Sequence, residues 1–163
     1  MIKMLRVDER LIHGQVAIAW SKVLTVTSIV VANDTAAEDE MIKMTLKMAT
    51  PQGMKVAIKT VDDAIVLLND PRCEKMSILI VVDCPKDALK IAKAVPNIPL
   101  VNIGNSGRLG DKATDRKMLS DGLFVNSEEV QILKEIIATG IETEVRMVPE
   151  RPKLSLSALL EKF

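Results

Sequence analysis

The chain has 163 residues, of which 22 are basic and 22 are acidic, so its formal net charge is zero. Aromatic residues make up only 2%. A neutral chain with so few aromatic side chains lacks the basic surface and the stacking groups that nucleic-acid binding uses, so we expect no nucleic-acid partner. Apolar runs such as Ile78–Val82 are far too short to cross a bilayer.

Hydrophobic periodicity alternates between strands and helices along the first two thirds of the chain. The predicted strands are Ile2–Val7, Ser28–Ala32, Lys55–Lys59, Ser77–Val82 and Leu100–Ile103. Several are continuous β-branched runs, which are typical of parallel strands buried on both faces. Amphipathic helices separate them, the first with Val16, Ala19, Trp20 and Val23 on one face. The pattern predicts one domain over residues 1–163, an open, doubly wound, mainly parallel α/β sheet with helices on both faces.

Helix starts and helix faces give further predictions in this part of the chain. Capping pairs are expected at Thr35 with Glu38, at Thr60 with Asp63 and at Asn126 with Glu129. Three methionines, Met41, Met44 and Met48, recur at helical spacing. Core packing is the favoured interpretation of this methionine stripe, and a partner surface is the alternative if that face is exposed.

The last forty residues predict a different arrangement. A helix over 127–139 should end at Gly140, and short elements are expected at 123–126 (strand) and 155–163 (helix). Residues 142–147 alternate, with Glu142, Glu144 and Arg146 on one face of a strand. That alternation predicts a half-exposed strand at the C-terminal edge of the sheet.

The only histidine, His13, lies in the turn that follows the first strand, within the sequence RVDERLIHGQ. In doubly wound sheets ligands bind beyond the carboxyl ends of the strands, which here precede residues 8–13, 33–35, 83–85 and 102–112. A helix N-terminus offers free N–H groups and a positive dipole end that favour phosphate. Gly14 lets the backbone approach an anion closely, and Gln15 begins the helix, so both are candidate phosphate-binding residues.

Neutral imidazole is a nucleophile, and we therefore predict that His13 carries a phosphoryl group. Arg6 and Arg10 flank it and are the candidates for neutralising the charge of that group. Asp8 has two open roles: it either fixes the imidazole tautomer or pairs with an arginine. These four residues form the predicted catalytic set.

A glycine-rich loop follows the fifth strand and fits neither the Walker A nor the dinucleotide motif. A phosphate-binding nest and a simple turn both stay open as interpretations. Ser106, Arg108 and Lys112 are the candidate phosphate ligands in it. With one histidine and no Cys-x-x-Cys pattern, the sequence predicts no metal site. Cys73 and Cys84 are expected to be reduced thiols in an intracellular protein, Cys84 structural and buried rather than nucleophilic.

Two other functions remain as alternatives. One is a receiver-type phosphoaspartate module, for which Asp8, Glu9 and Asp83 would supply the acids, although Asp83 ends the fourth predicted strand rather than the third. The other is a domain that binds anions reversibly at the first turn without covalent chemistry.

The segment from Arg6 to Val16 resembles the IIB subunit of the mannose/fructose/sorbose-type phosphoenolpyruvate-dependent sugar phosphotransferase system. Similarity continues through Trp20, Val30–Asp34, Ala49–Gly53 and Val101–Gly104, and it covers essentially the whole chain. After Gly104, this chain has Asn105-Ser106 where many members have Gly-Met. The resemblance implies a protein-histidine phosphotransferase in which His13 is the carrier and Arg6 and Arg10 match arginines of the family motif.

The same resemblance implies the partners and the location. His13 would accept the phosphoryl group from a phosphohistidine on a IIA partner and pass it to a sugar held by membrane IIC and IID subunits. The protein would be cytoplasmic, held at the inner face of the plasma membrane through those partners, with no metal or other cofactor. The sugar, a hexose or an N-acetylated amino sugar, would be chosen mainly by the membrane subunits, and a homodimer stays open.

Overall fold

The computed structural model describes residues 1–109 and 116–163. The strands in these ranges are β1 (Ile2–Val7), β2 (Ser28–Ala32), β3 (Lys55–Lys59), β4 (Ile78–Val82), β5 (Leu100–Ile103), β6 (Lys117–Ser120), β7 (Leu123–Val125) and β8 (Glu142–Val145). The helices are α1 (Gly14–Leu24), α2 (Asp34–Glu38), α3 (Glu40–Ala49), α4 (Val61–Leu68), α5 (Pro85–Ala94), α6 (Ser127–Ala138) and α7 (Leu156–Leu160). A short 3-10 helix covers Pro71–Lys75. None of the helices in these two ranges has the length and apolar character needed to cross a membrane.

Six strands form a parallel sheet in the order β3-β2-β4-β1-β5-β8. The chain leaves β1 towards β2 on one side, whereas after β5 it continues to β8 on the other side. The carboxyl ends of β1 and β5 therefore flank a crevice, the place where open α/β sheets bind ligands. The predicted fold class, including the C-terminal edge strand, is confirmed.

Each face of the sheet has its own hydrophobic core. Trp20 of α1, Ala36 of α2 and Leu46 of α3 pack with Met4 and Val81 on one face. Helices α4 to α7 cover the other face. Burial on both faces explains why β2 and β4 consist of Ile, Val, Leu, Ala and Ser, with every residue buried.

Local predictions at helix starts and helix faces have mixed outcomes. Caps at Thr60 and Asn126 are confirmed, but α2 is capped by Asn33 and the predicted Thr35 cap is wrong. Core packing is wrong for the methionine stripe: Met41, Met44 and Met48 are 78%, 64% and 81% exposed. Their helix α3 packs through the opposite face, on which Leu46 is buried.

A two-stranded antiparallel sheet joins β6 to β7 outside the main sheet. The sequence predicted β7 but not β6, whose Lys117–Ser120 segment has no buried residue to mark it. Residues 110–115, which precede β6 in the sequence, are the six outside the described ranges.

Candidate functional site

The turn between β1 and α1 is built around Asp8. Its backbone N–H donates to Val82 on the neighbouring strand, and its carbonyl accepts from Leu11 N–H at 2.8 Å. Its Oδ1 accepts from the backbone N–H of Arg10 at 3.0 Å. Leu11 has φ 58°, a left-handed value that is costly for a non-glycine residue. This tight turn brings His13 to the N-cap position of α1, beyond the carboxyl end of β1.

His13 places its Nε2 against the protein at the start of α1. Its side chain is 25% exposed, and Nε2 lies 3.4 Å from Oδ2 of the fully buried Asp8. That distance fits an ion pair, but the geometry is not that of a hydrogen bond, and Nε2 is buried with no other partner in the described ranges. Catalytic hydrogen bonds are often long before substrate binds. Burial of Nε2 against Asp8 leaves Nδ1 as the candidate ring nitrogen for reaction with a partner.

Arg6 is 2% exposed, and its guanidinium faces into the protein. Nη2 donates to Asp8 Oδ2 and to the carbonyl of Met147, both at 3.0 Å. Nη1 donates to the carbonyl of Arg146 at 3.2 Å and to Asn102 Oδ1. Burial lowers the pKa of Arg6, and the Asp8 and Glu144 carboxylates oppose that shift. This placement differs from the prediction that Arg6 faces the phosphoryl group, because its donors are occupied inside the protein.

Two close neighbours fix the position of this guanidinium. The Trp20 ring centre lies 5.5 Å from Cζ of Arg6 and 5.5 Å from Cζ of Arg146, a cation–π distance in both cases. A Cβ added at Gly104 would lie 2.6 Å from Cζ of Arg6. Gly104 is thus required by close approach, since any side chain there would displace Arg6.

Glu144 and Asn102 complete the buried network, and the sequence did not predict either as a site residue. Glu144 was expected on the exposed face of its strand, yet it is 2% exposed. Its Oε1 accepts from Asn102 Nδ2 at 2.9 Å. The prediction fails at this residue because β8 pairs with β5 in a register that sets Glu144 beside Asn102. A signal was present: Asn102 is a polar residue in an otherwise apolar predicted strand.

The loop after β5 packs against the histidine turn. Glu9 N–H donates to the Asn105 carbonyl at 2.8 Å, and the Glu9 carboxylate accepts from the backbone N–H groups of Arg108 and Leu109. Asn105 Nδ2 also lies 3.4 Å from Asp8 Oδ2. Together Glu9, Arg10, Asn105, Arg108 and Leu109 line a cleft of about 300 Å³.

Two guanidinium groups in this cleft are available to an anion. Arg10 and Arg108 are both exposed, and neither forms an ion pair with a residue in the described parts of the chain. Because guanidinium binds phosphate oxygens in a fork geometry, these two residues are the candidates for binding an anion in this cleft.

The remaining predicted phosphate-binding residues lie in different surroundings. Gly14, with φ 44°, and Gln15 are exposed at the start of α1. Ser106 is buried, and its backbone bridges to Leu123. Lys112 lies outside the described residues.

One cluster of acidic and thiol groups lies at the carboxyl end of β4. Ligand atoms of Asp83, Cys84 and Asp87 lie within 4.8 Å of one another. Burial raises the pKa of Cys84 to about 12, so a metal ion would have to displace a tightly held proton from this thiol. Clustered acidic groups are common at protein surfaces, and we assign no metal to this cluster.

Comparison with known proteins gives consistent matches over the whole chain. The family model described as "PTS system sorbose subfamily IIB component" matches residues 2–163. A probable phosphotransferase enzyme IIB component of Streptococcus pyogenes serotype M6 is 44% identical, over 98% of this chain and 99% of the relative. The mannose-specific EIIAB component of Escherichia coli K12 is 30% identical over 100% of this chain but only 49% of the relative.

Among solved structures, the IIBSor domain of the sorbose permease from Klebsiella pneumoniae superposes with a TM-score of 0.90. It is 26% identical in sequence, and the match covers 99% of this chain and 97% of that one.

Proposed function

The chain belongs to the sorbose-subfamily IIB components of the sugar phosphotransferase system, the phosphotransfer subunits of that system, and from this premise we propose that His13 is its phosphoryl carrier. The observation that carries the proposal is the geometry of His13, whose Nε2 is buried beside Asp8 although its side chain is 25% exposed. A IIA partner would supply the phosphoryl group from its own phosphohistidine. The group would then pass to a sugar bound by membrane IIC and IID subunits.

Transfer would occur at Nδ1 of His13. The Nδ1 lone pair forms a bond to phosphorus while the bond between phosphorus and the donor imidazole breaks, and that electron pair returns to the donor nitrogen. Nε2 keeps its proton, directed at Asp8, so the step needs no net proton transfer. Asp8 then has the role of orienting the ring and stabilising the charge that phosphorylation brings to it.

Charge on the moving phosphoryl group would be balanced by Arg10, together with the N–H groups of Gly14 and Gln15 at the start of α1. Positioning and electrostatic stabilisation supply most of the catalysis in phosphoryl transfer. Here Asp8 would position the His13 ring, and these exposed groups would stabilise the charge. Arg6 would act indirectly, by holding the Asp8 carboxylate in place. We propose that the phosphoryl group is carried covalently, with no metal ion or other cofactor at His13.

We further propose that the protein works on the cytoplasmic side of the membrane, because its partners would include membrane subunits and a soluble IIA. The mannose-specific EIIAB relative, half of whose length this chain matches, supports pairing with a IIA unit. A hexose or an N-acetylated amino sugar is the proposed final acceptor.

The test is intact mass after incubation with phosphoenolpyruvate, the general phosphocarrier proteins and a mannose-family IIA. A gain of one phosphate that mild acid removes is expected for the parent chain and for Asp83→Asn, and no gain is expected for His13→Gln. Labelling retained in His13→Gln and lost in Asp83→Asn would instead support a phosphoaspartate module. Reversible phosphate binding without mass gain, with a competent IIA, would leave only an anion-binding domain.

A further inference from the structure

A continuous path of buried polar groups runs from the edge strand β8 to His13. Glu144 Oε1 accepts from Asn102 Nδ2 at 2.9 Å, and Asn102 Oδ1 accepts from Arg6 Nη1. Arg6 Nη2 donates to Asp8 Oδ2 at 3.0 Å, and the same oxygen lies 3.4 Å from His13 Nε2. We propose that Glu144 is a positioning residue for phosphoryl transfer, acting through this path to keep the Asp8 carboxylate available to the His13 ring. The proposal rests on the proposed function of His13.

The electrostatic reason for this role is that Asp8 Oδ2 interacts with both Arg6 and His13. One arginine and one imidazole both approach that oxygen, and Asn105 Nδ2 lies 3.4 Å from it as well. Glu144 gives Arg6 a second negative neighbour, and it therefore takes up part of the attraction of the guanidinium. The other charged groups near this path are Arg10 and Arg146, and both add positive charge. Without the Glu144 carboxylate, Asp8 would be the sole anion balancing Arg6, and the attraction of Asp8 for the His13 ring would weaken.

Hydrogen bonding offsets the cost of burying the Glu144 carboxylate only in part. Glu144 is 2% exposed, and its Oε2 is buried without a hydrogen-bond partner in the described ranges. Burying an unpaired polar atom costs free energy. Asn102 Nδ2 is also 3.2 Å from the Arg146 carbonyl, so the amide has another acceptor. The carboxylate is retained at a cost, and its one hydrogen bond leads towards the histidine.

The first test uses the fact that the chain has a single imidazole. The ¹⁵N resonances of a histidine ring separate a protonated nitrogen from a bare one, so they report the tautomer of His13 in the unphosphorylated chain. In the parent we expect the tautomer with Nε2 protonated and Nδ1 bare. In Glu144→Gln both resonances should move towards the values of two exchanging tautomers. Glu142→Gln, the same substitution at an exposed position of the same strand, should leave them unchanged.

The second test is the rate of phosphoryl uptake from a phosphorylated mannose-family IIA. We expect Glu144→Gln to slow uptake about 10-fold at saturating donor, with little change in the donor concentration needed, as for outer partners that orient a histidine. Glu142→Gln should match the parent. Parent-like resonances and rates in a folded Glu144→Gln would overturn the proposal.

If Glu144→Gln does not fold, Asn102→Ser interrupts the same path and both readouts decide in the same way. Parent-like ring resonances in a folded Asn102→Ser would also overturn the proposal. Failure of the proposed function is separate, because a parent chain that takes up no phosphate still gives the ¹⁵N result.

Discussion

Replacing Gly104 by alanine adds one methyl group at the point where Arg6 passes closest to the backbone of the next strand. The new Cβ would lie 2.6 Å from Cζ and 2.9 Å from Nη1 of Arg6, whereas ordinary contact begins at 3.4 Å. The guanidinium would have to move by at least about 0.8 Å, the difference between 3.4 Å and 2.6 Å, because Nη2 lies closer to the added Cβ than Cζ does. It cannot do so freely, because Asp8, Asn102 and the carbonyls of Arg146 and Met147 hold it.

The cost follows from two contributions. Overpacking a tightly filled site costs about 1–3 kcal/mol. Weakening hydrogen bonds to a buried charged group adds about 1–2 kcal/mol, part of the roughly 1.5–3 kcal/mol that such a bond contributes. We therefore expect Gly104→Ala to lower the free energy of unfolding by about 3 kcal/mol.

Urea unfolding followed by the fluorescence of Trp20, the only tryptophan, measures this change at the site itself. Gly140→Ala is the matched control, because Gly140 has φ 83° and no atom within 4 Å of an added Cβ. The control should cost about 1 kcal/mol from backbone strain alone. Equal losses in the two variants would refute the reasoning, since Arg6 would then shift without penalty and could not hold Asp8 rigidly.

Three further predictions concern one exposed arginine and one half-buried thiol, so the expectation that Cys84 is buried holds only in part. Arg10→Ala should slow phosphoryl uptake about 100-fold while changing the free energy of unfolding by less than about 0.5 kcal/mol. Single-turnover uptake and urea unfolding measure the two effects, and Arg72→Ala is the control, because the Arg72 side chain is 89% exposed and pairs with Asp70 at the surface. Equal losses in stability and transfer would indicate a structural arginine. Burial raises the pKa of Cys84 from its ordinary 9.0 to about 12. At pH 8 iodoacetamide should therefore alkylate Cys84 far more slowly in the folded chain than in urea. Rapid labelling of the folded protein would contradict this prediction. Because the pKa of Cys84 is raised in the folded chain, the stability that its protonated thiol contributes is fully present below about pH 9 and is lost as the pH rises towards 12. Urea unfolding of the parent and Cys84→Ser chains across this pH range measures the loss.

The sequence predicted the position of the candidate carrier histidine and its setting because that signal is local. A strand, a turn with two arginines and a helix start all lie within Ile2–Leu24, and the structure keeps them in that arrangement. Arg10 and Gly14 stand at the open side of the site. Arg6 does not, since strand geometry turns its side chain towards residues about 100 and 140 positions away in the chain.

Periodicity alone indicated most of the helices and strands and the parallel character of the main sheet. Runs of β-branched residues and 3.6-residue repeats are properties of the local chain. Only the tertiary structure decided which polar residues are buried. Glu144 alternates like an exposed strand residue, yet pairing with β5 places it beside Asn102, and the methionines of α3 repeat like a core but remain outside it. Burial of a side chain depends on what packs over it, and those neighbours come from strands that are distant in sequence.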